Sequence, residues 1–163
     1  MTVSQAQFKQ AMGSFPTGVT VTTAYSEAGE VVGMTASAFS SVSLDPFLVL
    51  MCPGKDAECY QPLTEASYFS IHLLAGDQSA LAWQFAKSDM DKTAGLEISQ
   101  GPSGSPKIQG CLAYLECRHH ALYDGGDHGI LVGEVTHIEF SDQERDPLVY
   151  CKSALGPLPA IGT

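Results

Sequence analysis

Gly33–Asp45 reads GMTASAFSSVSLD. Hydroxyls at Thr35, Ser37, Ser40 and Ser41 surround a single phenylalanine, and no charge appears before Asp45. Upstream, Gly18–Tyr25 (GVTVTTAY) alternates valine with threonine in a strand pattern. Glu27–Glu30 is a turn in which Gly29 supplies a positive φ. Val31–Ser37 is therefore the returning arm of a hairpin, and the quoted stretch begins as its second strand. Downstream, Asp45-Pro46 breaks the pattern, and Phe47–Cys52 (FLVLMC) is a continuous apolar run of the kind buried on both faces. The quoted stretch allows two readings. It is an ordinary serine-rich strand and turn, or its hydroxyls and backbone N–H groups wrap an acceptor-rich ligand such as a phosphate-bearing one.

Before it, Ser4 and Gln7 form a capping-box pair, and Phe8, Ala11, Met12 and Phe15 follow at helical spacing as one apolar face. Gly13 and Pro16 end that helix. Beyond it, Lys55–Leu63 suits a short helix, Ser67–Leu74 a strand, and Gln78–Lys87 a helix capped by Asp77 with Leu81, Ala82, Phe85 and Ala86 on one side. Ser88–Gln109 is weakly patterned, and GPSGSP at 101–106 is a loop. Two long strands, Cys111–Tyr123 and His128–Phe140, are joined by the tight Asp124–Asp127 turn. Pro147–Cys151 is a last short strand. Six or seven strands arranged mostly as hairpins, with three helices, predict a mainly β protein: an antiparallel sheet closed into a small barrel with flanking helices.

The 163 residues suit one domain with a core at about 5–150 and a Pro- and Gly-rich tail at 154–163. A composition 44% hydrophobic and 16% charged supports a real core and hints at buried subunit surface. A net charge of −10, with the eight Lys and Arg scattered, argues against nucleic acid as a partner. No apolar run has the length needed to span a bilayer, which argues against a membrane. Five cysteines and a polar start without an apolar signal core favour reduced thiols in the cytoplasm.

There is no GxGxxG, Walker-type loop, HExxH, CxxC or GxSxG. GGDHGI at 125–130 places His128 just after a turn, beside Asp127, where it is either a surface histidine or a ligand contact. Cys117 and His119 share a strand face, but the spacing around them matches no closed zinc pattern, and Cys111 and Cys117 read as packed thiols. Most acidic residues sit in turns or near helices and read as solvated surface.

The order of motifs adds to this. FPTGVTVTTA at 15–24, GMTASAFSSVSLDP at 33–46, FLVLMC, LAWQFA at 81–86, GCLAYLEC at 110–117, GGDHGILVGEV at 125–135 and DPLVY at 146–150 occur in sequence. The chain resembles the short-chain flavin reductase family, the flavin reductase-like or FMN-binding split-barrel proteins, which include reductase components of two-component monooxygenases. The resemblance implies a Greek-key antiparallel split β-barrel, a homodimer, and an NAD(P)H:flavin oxidoreductase. Such an enzyme reduces FMN or FAD with NADH or NADPH and passes reduced flavin to an oxygenase. The alternative is an electron carrier or sensor that keeps its flavin.

The resemblance also implies a set of contacts. Met34, Thr35, Ala36 and Ser37 would run along the flavin ring, and Ser40, Ser41 and Val42 would lie at the ribityl and phosphate end. Cys52 would approach the flavin, and His72, where many relatives carry Asn, would lie beside the ribityl chain or phosphate. Gln78, Phe85 and Ala86 would flank the phosphate or adenine side, with Lys87 supplying charge. Gly126, Asp127 and His128 would meet the nicotinamide, His128 as the catalytic-site residue that orients it and not as a base. One departure is the tail YCKSALGPLPAIGT, which lacks the Arg- and Tyr-rich ending common in relatives.

Overall fold

The computed structural model describes residues 2–159. Its centre is a seven-stranded antiparallel sheet in the order β3-β2-β6-β9-β10-β5-β4. The strands are β2 (Thr20–Tyr25), β3 (Val31–Ala36), β4 (Phe39–Leu44), β5 (Phe47–Met51), β6 (Tyr68–Leu73), β9 (Ala113–Gly125) and β10 (His128–Phe140). The two edge strands, β3 and β4, are consecutive in the chain and are joined only by Ser37 and Ala38. The sheet must therefore curl until its edges approach, and they do so without a ladder between them. The result is a barrel split along the β3–β4 seam. The stretch quoted at the outset is that seam.

A small sheet joins β1 (Thr17–Gly18), β11 (Leu148–Cys151) and β12 (Ala154–Pro157), and a two-stranded ribbon pairs β7 (Ile98–Gln100) with β8 (Pro106–Ile108). Three helices flank the barrel: α1 (Gln5–Gly13), α2 (Tyr60–Glu65) and α3 (Ser79–Ala86). Ala24, Ala36, Val49, Met51, Phe69, Ile71, Leu115 and Leu131 fill the barrel. A second cluster, with Val19, Val21, Leu74, Leu81, Phe85, Ile108 and Leu148, welds α3, β8 and β11 to it.

Several sequence expectations hold. Ser4 and Gln7 form the capping box, Gly29 takes a positive φ of 78°, and β9 and β10 form the long hairpin. Others are corrected. FLVLMC is not buried on both faces: Val49 and Met51 point inward while Phe47 is 61% exposed, because β5 lies next to the edge with no layer packed outside it. The apolar face of α1 is exposed at Phe8 and Met12, since α1 buries none of its residues, and Phe15 lies exposed just beyond the helix end. The helix expected at Lys55–Leu63 begins only at Tyr60. Asp77 does not cap α3; Gln78 occupies that position, and Asp77 pairs with Arg145.

The weakly patterned 88–109 segment contains the β7–β8 ribbon. In the Pro- and Gly-rich tail, Ala154–Pro157 returns along β11 through a two-residue turn at Lys152-Ser153, and residues 160–163 lie outside the described residues. Both turn residues have positive φ, 48° and 63°. This is a primed hairpin turn built from residues other than glycine, which is why the sequence did not announce it.

Candidate functional site

Beside the seam lies a cleft of about 600 Å³. One wall is β3, from Val32 to Thr35. The facing wall is the loop Asp56–Cys59, and Phe85, Ala86 and Lys87 at the end of α3, with Ser88, Met90 and Lys92, complete it. Two features bring α3 against β3. Thr35 Oγ1 donates to the Ala82 carbonyl at 2.5 Å. Gly33 allows the close approach: a Cβ there would lie 2.3 Å from the Thr22 carbonyl oxygen and 3.2 Å from Phe85 Cε1. Because β3 is an edge strand, its alternate N–H and C=O groups face away from β2 toward this side.

The loop from Cys52 to Lys55 is tied to the GGDH turn. Gly54 bridges His128, the Gly129 N–H donates to the Pro53 carbonyl, and the Lys55 N–H donates to the Asp127 carbonyl. Lys55 also pairs with Asp124. His128 Nδ1 meets Asp127 Oδ1 at 2.7 Å, and its ring stays half-exposed. That hydrogen bond from His128 holds the Asp127 carboxyl below its ordinary range. The pair fixes one ring nitrogen and leaves Nε2 for a ligand. Two residues beyond Gly54 the same loop becomes the cleft wall at Asp56, so one short segment connects His128 to the cleft.

The structure thus gathers Met34, Thr35, Phe85, Ala86 and Lys87 in one cleft, and groups Cys52 with Gly126, Asp127 and His128 at one end of its wall. Ser37 lines an adjoining cleft. Ala36 is buried, so only its backbone is available to a ligand. Ser40, Ser41 and Val42 stand on β4, outside these walls. A bulge between Ser41 and Ser43 leaves Val42 without a partner on β5 and turns it outward.

Two of the expected residues stand apart from this cleft. His72 cannot touch a ribityl chain: it is fully buried, Nδ1 lies 3.0 Å from the Val21 carbonyl, and Nε2 accepts the Ile108 N–H at 3.0 Å. Burial pushes its pKa down to about 4, so it is neutral and serves as a stitch between β6, β2 and β8. Gln78 does not face the cleft either. Its amide oxygen accepts the Ala75 N–H and its nitrogen donates to the Gly110 carbonyl, which pins the start of α3 to the β9 side.

Two residues were missed. Lys92 reaches the Gln84 and Lys87 carbonyls at the end of α3 and stands 5.9 Å from the Phe85 ring centroid. It is both a C-terminal cap and a second ammonium in the cleft wall. Its DKT setting lay in the segment without periodicity. Glu116, an acid within a strand and given no role by the sequence, is fully buried. Burial raises its pKa, but hydrogen bonds from the Ser105 and Ser103 side chains and backbone N–H groups outweigh this and hold it below the ordinary value. Its carboxylate organises the GPSGSP loop: both oxygens lie 3.0 Å from the Ser103 nitrogen, and Oε1 lies 2.7 Å from Ser105 Oγ.

Among the described residues, no group of three or more His, Cys, Asp or Glu side chains is placed to hold a metal ion. What the cleft offers is a largely neutral donor set: the free edge of β3 and, in the adjoining cleft, the hydroxyl of Ser37. Lys87 and Lys92 stand to one side, and the carboxylates Asp56 and Glu58 are confined to the facing loop. That set fits a planar, acceptor-rich ring carrying phosphate.

Residues 12–159 match the family model described as the flavin reductase like domain. The chain belongs to this family. It is 42% identical over 154 residues to the FMN reductase (NADH) SmoA of Agrobacterium fabrum, covering 91% of this chain and 83% of that one. It is 44% identical over 138 residues to an NADH-dependent FAD reductase of Streptomyces globisporus, covering 80% and 74%. The solved NADH:FAD oxidoreductase SgcE6 of Streptomyces globisporus, in complex with NAD and FAD fragments, superimposes with a TM-score of 0.88. It is 38% identical, with 96% of this chain and 93% of that one covered. The split barrel of this family member is therefore the fold of flavin reductases, as its motif order implied.

Proposed function

We infer that this chain is an NAD(P)H:flavin oxidoreductase that reduces FMN or FAD and delivers reduced flavin to a partner monooxygenase. The observation that carries the reading is identity above 40% to two relatives named as NADH-dependent FMN and FAD reductases. They also favour NADH as the donor. A further relative, 34% identical over 148 residues, is named as the reductase subunit of a flavin-dependent monooxygenase in Rhodococcus jostii, which supports an oxygenase as the recipient.

A bound flavin would supply the hydride acceptor for a nicotinamide donor. The protein's part is positioning. The outward N–H groups of β3 around Met34–Ser37 are aimed donors for the electron-rich edge of the ring, fixed in place before the reaction. Phe85 and Gly33 give the cleft its closely packed floor. His128, held by Asp127 and by the Pro53–Gly54 backbone, orients the nicotinamide and takes no proton in the hydride step. Lys87 and Lys92 place positive charge where a phosphate would lie.

A homodimer in the cytoplasm completes the proposal. α1 and the residue just beyond it expose Phe8, Met12 and Phe15, and the β4–β5 side exposes Val42, Leu44 and Phe47, which is apolar surface suited to a second copy. All five cysteines are free thiols, as a reducing compartment favours. No helix among the described residues is long and apolar enough to cross a membrane.

The test is NADH oxidation by purified protein with excess FMN or FAD. Acceleration over the flavin alone is expected; its absence with both NADH and NADPH would sink the reading.

A further inference from the structure

The far half of the β9–β10 hairpin overhangs the sheet. β6 pairs with β9 from Ala113 to Arg118, with one further bond from the His119 N–H to the Ser67 carbonyl. β5 pairs with β10 from Leu131 to Glu134. Beyond these residues the hairpin is a two-stranded ribbon, and His128 sits at its tip. A lone ribbon holds its shape poorly in water, so the tip's position depends on what it rests against. The Pro53–Lys55 backbone meets one side of it. The Lys55–Asp124 pair adds little, because both partners are exposed.

A packed contact comes from Tyr60. Gly129 is buried although it has no side chain, because the Tyr60 phenol and Leu122 lie over it. A Cβ on Gly129 would stand 2.9 Å from Tyr60 Oη, 3.1 Å from Tyr60 Cε2 and 3.0 Å from Leu122 Cδ1. The phenol therefore fills the space of the missing side chain. Tyr60 is itself firmly held. It opens α2, its N–H donates to the Ala57 carbonyl at 2.9 Å, and its carbonyl accepts Thr64 Oγ1 at 2.8 Å. Leu63 roots the same helix in the barrel core. Ala57 belongs to the facing wall of the flavin cleft. Successive residues of a strand point to opposite faces, so the His128 ring lies on the face away from Tyr60. There a Cβ on Gly54 would meet His128 Nε2 at 3.7 Å.

We propose that Tyr60 is a positioning residue for the hydride donor: a strut that fixes the hairpin tip, and with it His128, relative to the wall of the flavin cleft. Its ring bears on the Gly129 backbone and acts through it. The proposal rests on the flavin reductase reading, with His128 as the residue that orients the nicotinamide. Tyr60 directly follows the wall Asp56–Cys59, so one short segment sets the donor site and the flavin cleft in register.

Steady-state NADH oxidation beside a flavin titration tests it. Tyr60→Ala should raise the KM for NADH by about threefold, below the roughly fivefold expected for losing His128 itself, while flavin affinity changes less. Tyr60→Phe, which keeps the ring over Gly129, should restore most of the loss. In a His128→Ala background, Tyr60→Ala should raise that KM no further, because the residue it positions is gone. A tyrosine that served stability alone would instead lower the fraction of active protein, and hence kcat, in either background. Gly129→Ala presses a methyl against the phenol from the other side and should raise the same KM. It carries the test where Tyr60→Ala does not fold. A KM for NADH unmoved by both substitutions, or a rise that persists in full without His128, would overturn the strut while leaving flavin reduction intact. Failure of the unmodified protein to oxidise NADH with either flavin would instead remove the reading beneath it.

Discussion

Two histidines show how little residue type alone decides. His128 sits on a turn, half-exposed, with one nitrogen held by Asp127 and the other open to a ligand. Replacing it with alanine should raise the KM for NADH by about fivefold, the cost of one lost hydrogen bond, while flavin affinity changes far less. Steady-state kinetics beside a flavin titration measures both; the reverse pattern would place His128 on the flavin. His72 looks as reactive in the sequence but is sealed in the core with both nitrogens used. Its folded pKa of about 4 lies below the ordinary 6.5, so the unfolded chain takes up the proton first. Stability should therefore be complete above pH 6.5 and fall as the pH drops from 6.5 toward 4, by about 3 kcal/mol from this group. Urea unfolding across that range checks it, and His72→Gln should flatten the slope.

At the scale of elements, the site depends on how closely α3 approaches β3. Gly33→Ala would drive a Cβ into the Thr22 carbonyl, a backbone atom that cannot move aside cheaply. It should cost about 1–3 kcal/mol and weaken flavin binding by parting β3 from α3. Thermal unfolding and a flavin titration test the two effects together. Elements with local chemical signals were legible beforehand: the Ser4–Gln7 box, the alternating Gly18–Tyr25 strand, and the hairpin around Gly126. Elements held by distant partners were not. The β7–β8 ribbon lacks periodicity because its loop is organised by Glu116, a residue outside it. β12 lay hidden in a tail rich in Pro and Gly because its turn uses Lys152 and Ser153 where glycine or asparagine would be expected. For the site, the motif order pointed to β3, the end of α3 and the GGDH turn; the first two line one cleft, and the Cys52–Lys55 loop joins the turn to its facing wall. That His72 and Gln78 stand apart from this cleft was not legible because a side chain's direction follows from tertiary packing, and Lys92 was not legible because its partners are the carbonyls at the end of a helix.

For the molecule as a whole, the net charge of −10 and the apolar patches on α1 and the β4–β5 side act in opposite senses: charge favours solubility, while the patches favour association. Sedimentation should show a dimer, and Leu44→Asp with Phe47→Asp should shift it toward the monomer; a wild-type monomer would contradict the dimer. The two edges of one sheet, joined by only two residues, close the barrel and leave the seam beside which flavin is proposed to bind. That proposal is tested most directly by NADH consumption at 340 nm with purified protein and each of FMN and FAD. The account predicts turnover far above that of flavin alone, weakened at limiting NADH by His128→Ala. No turnover with either flavin, from NADH or NADPH, would contradict it.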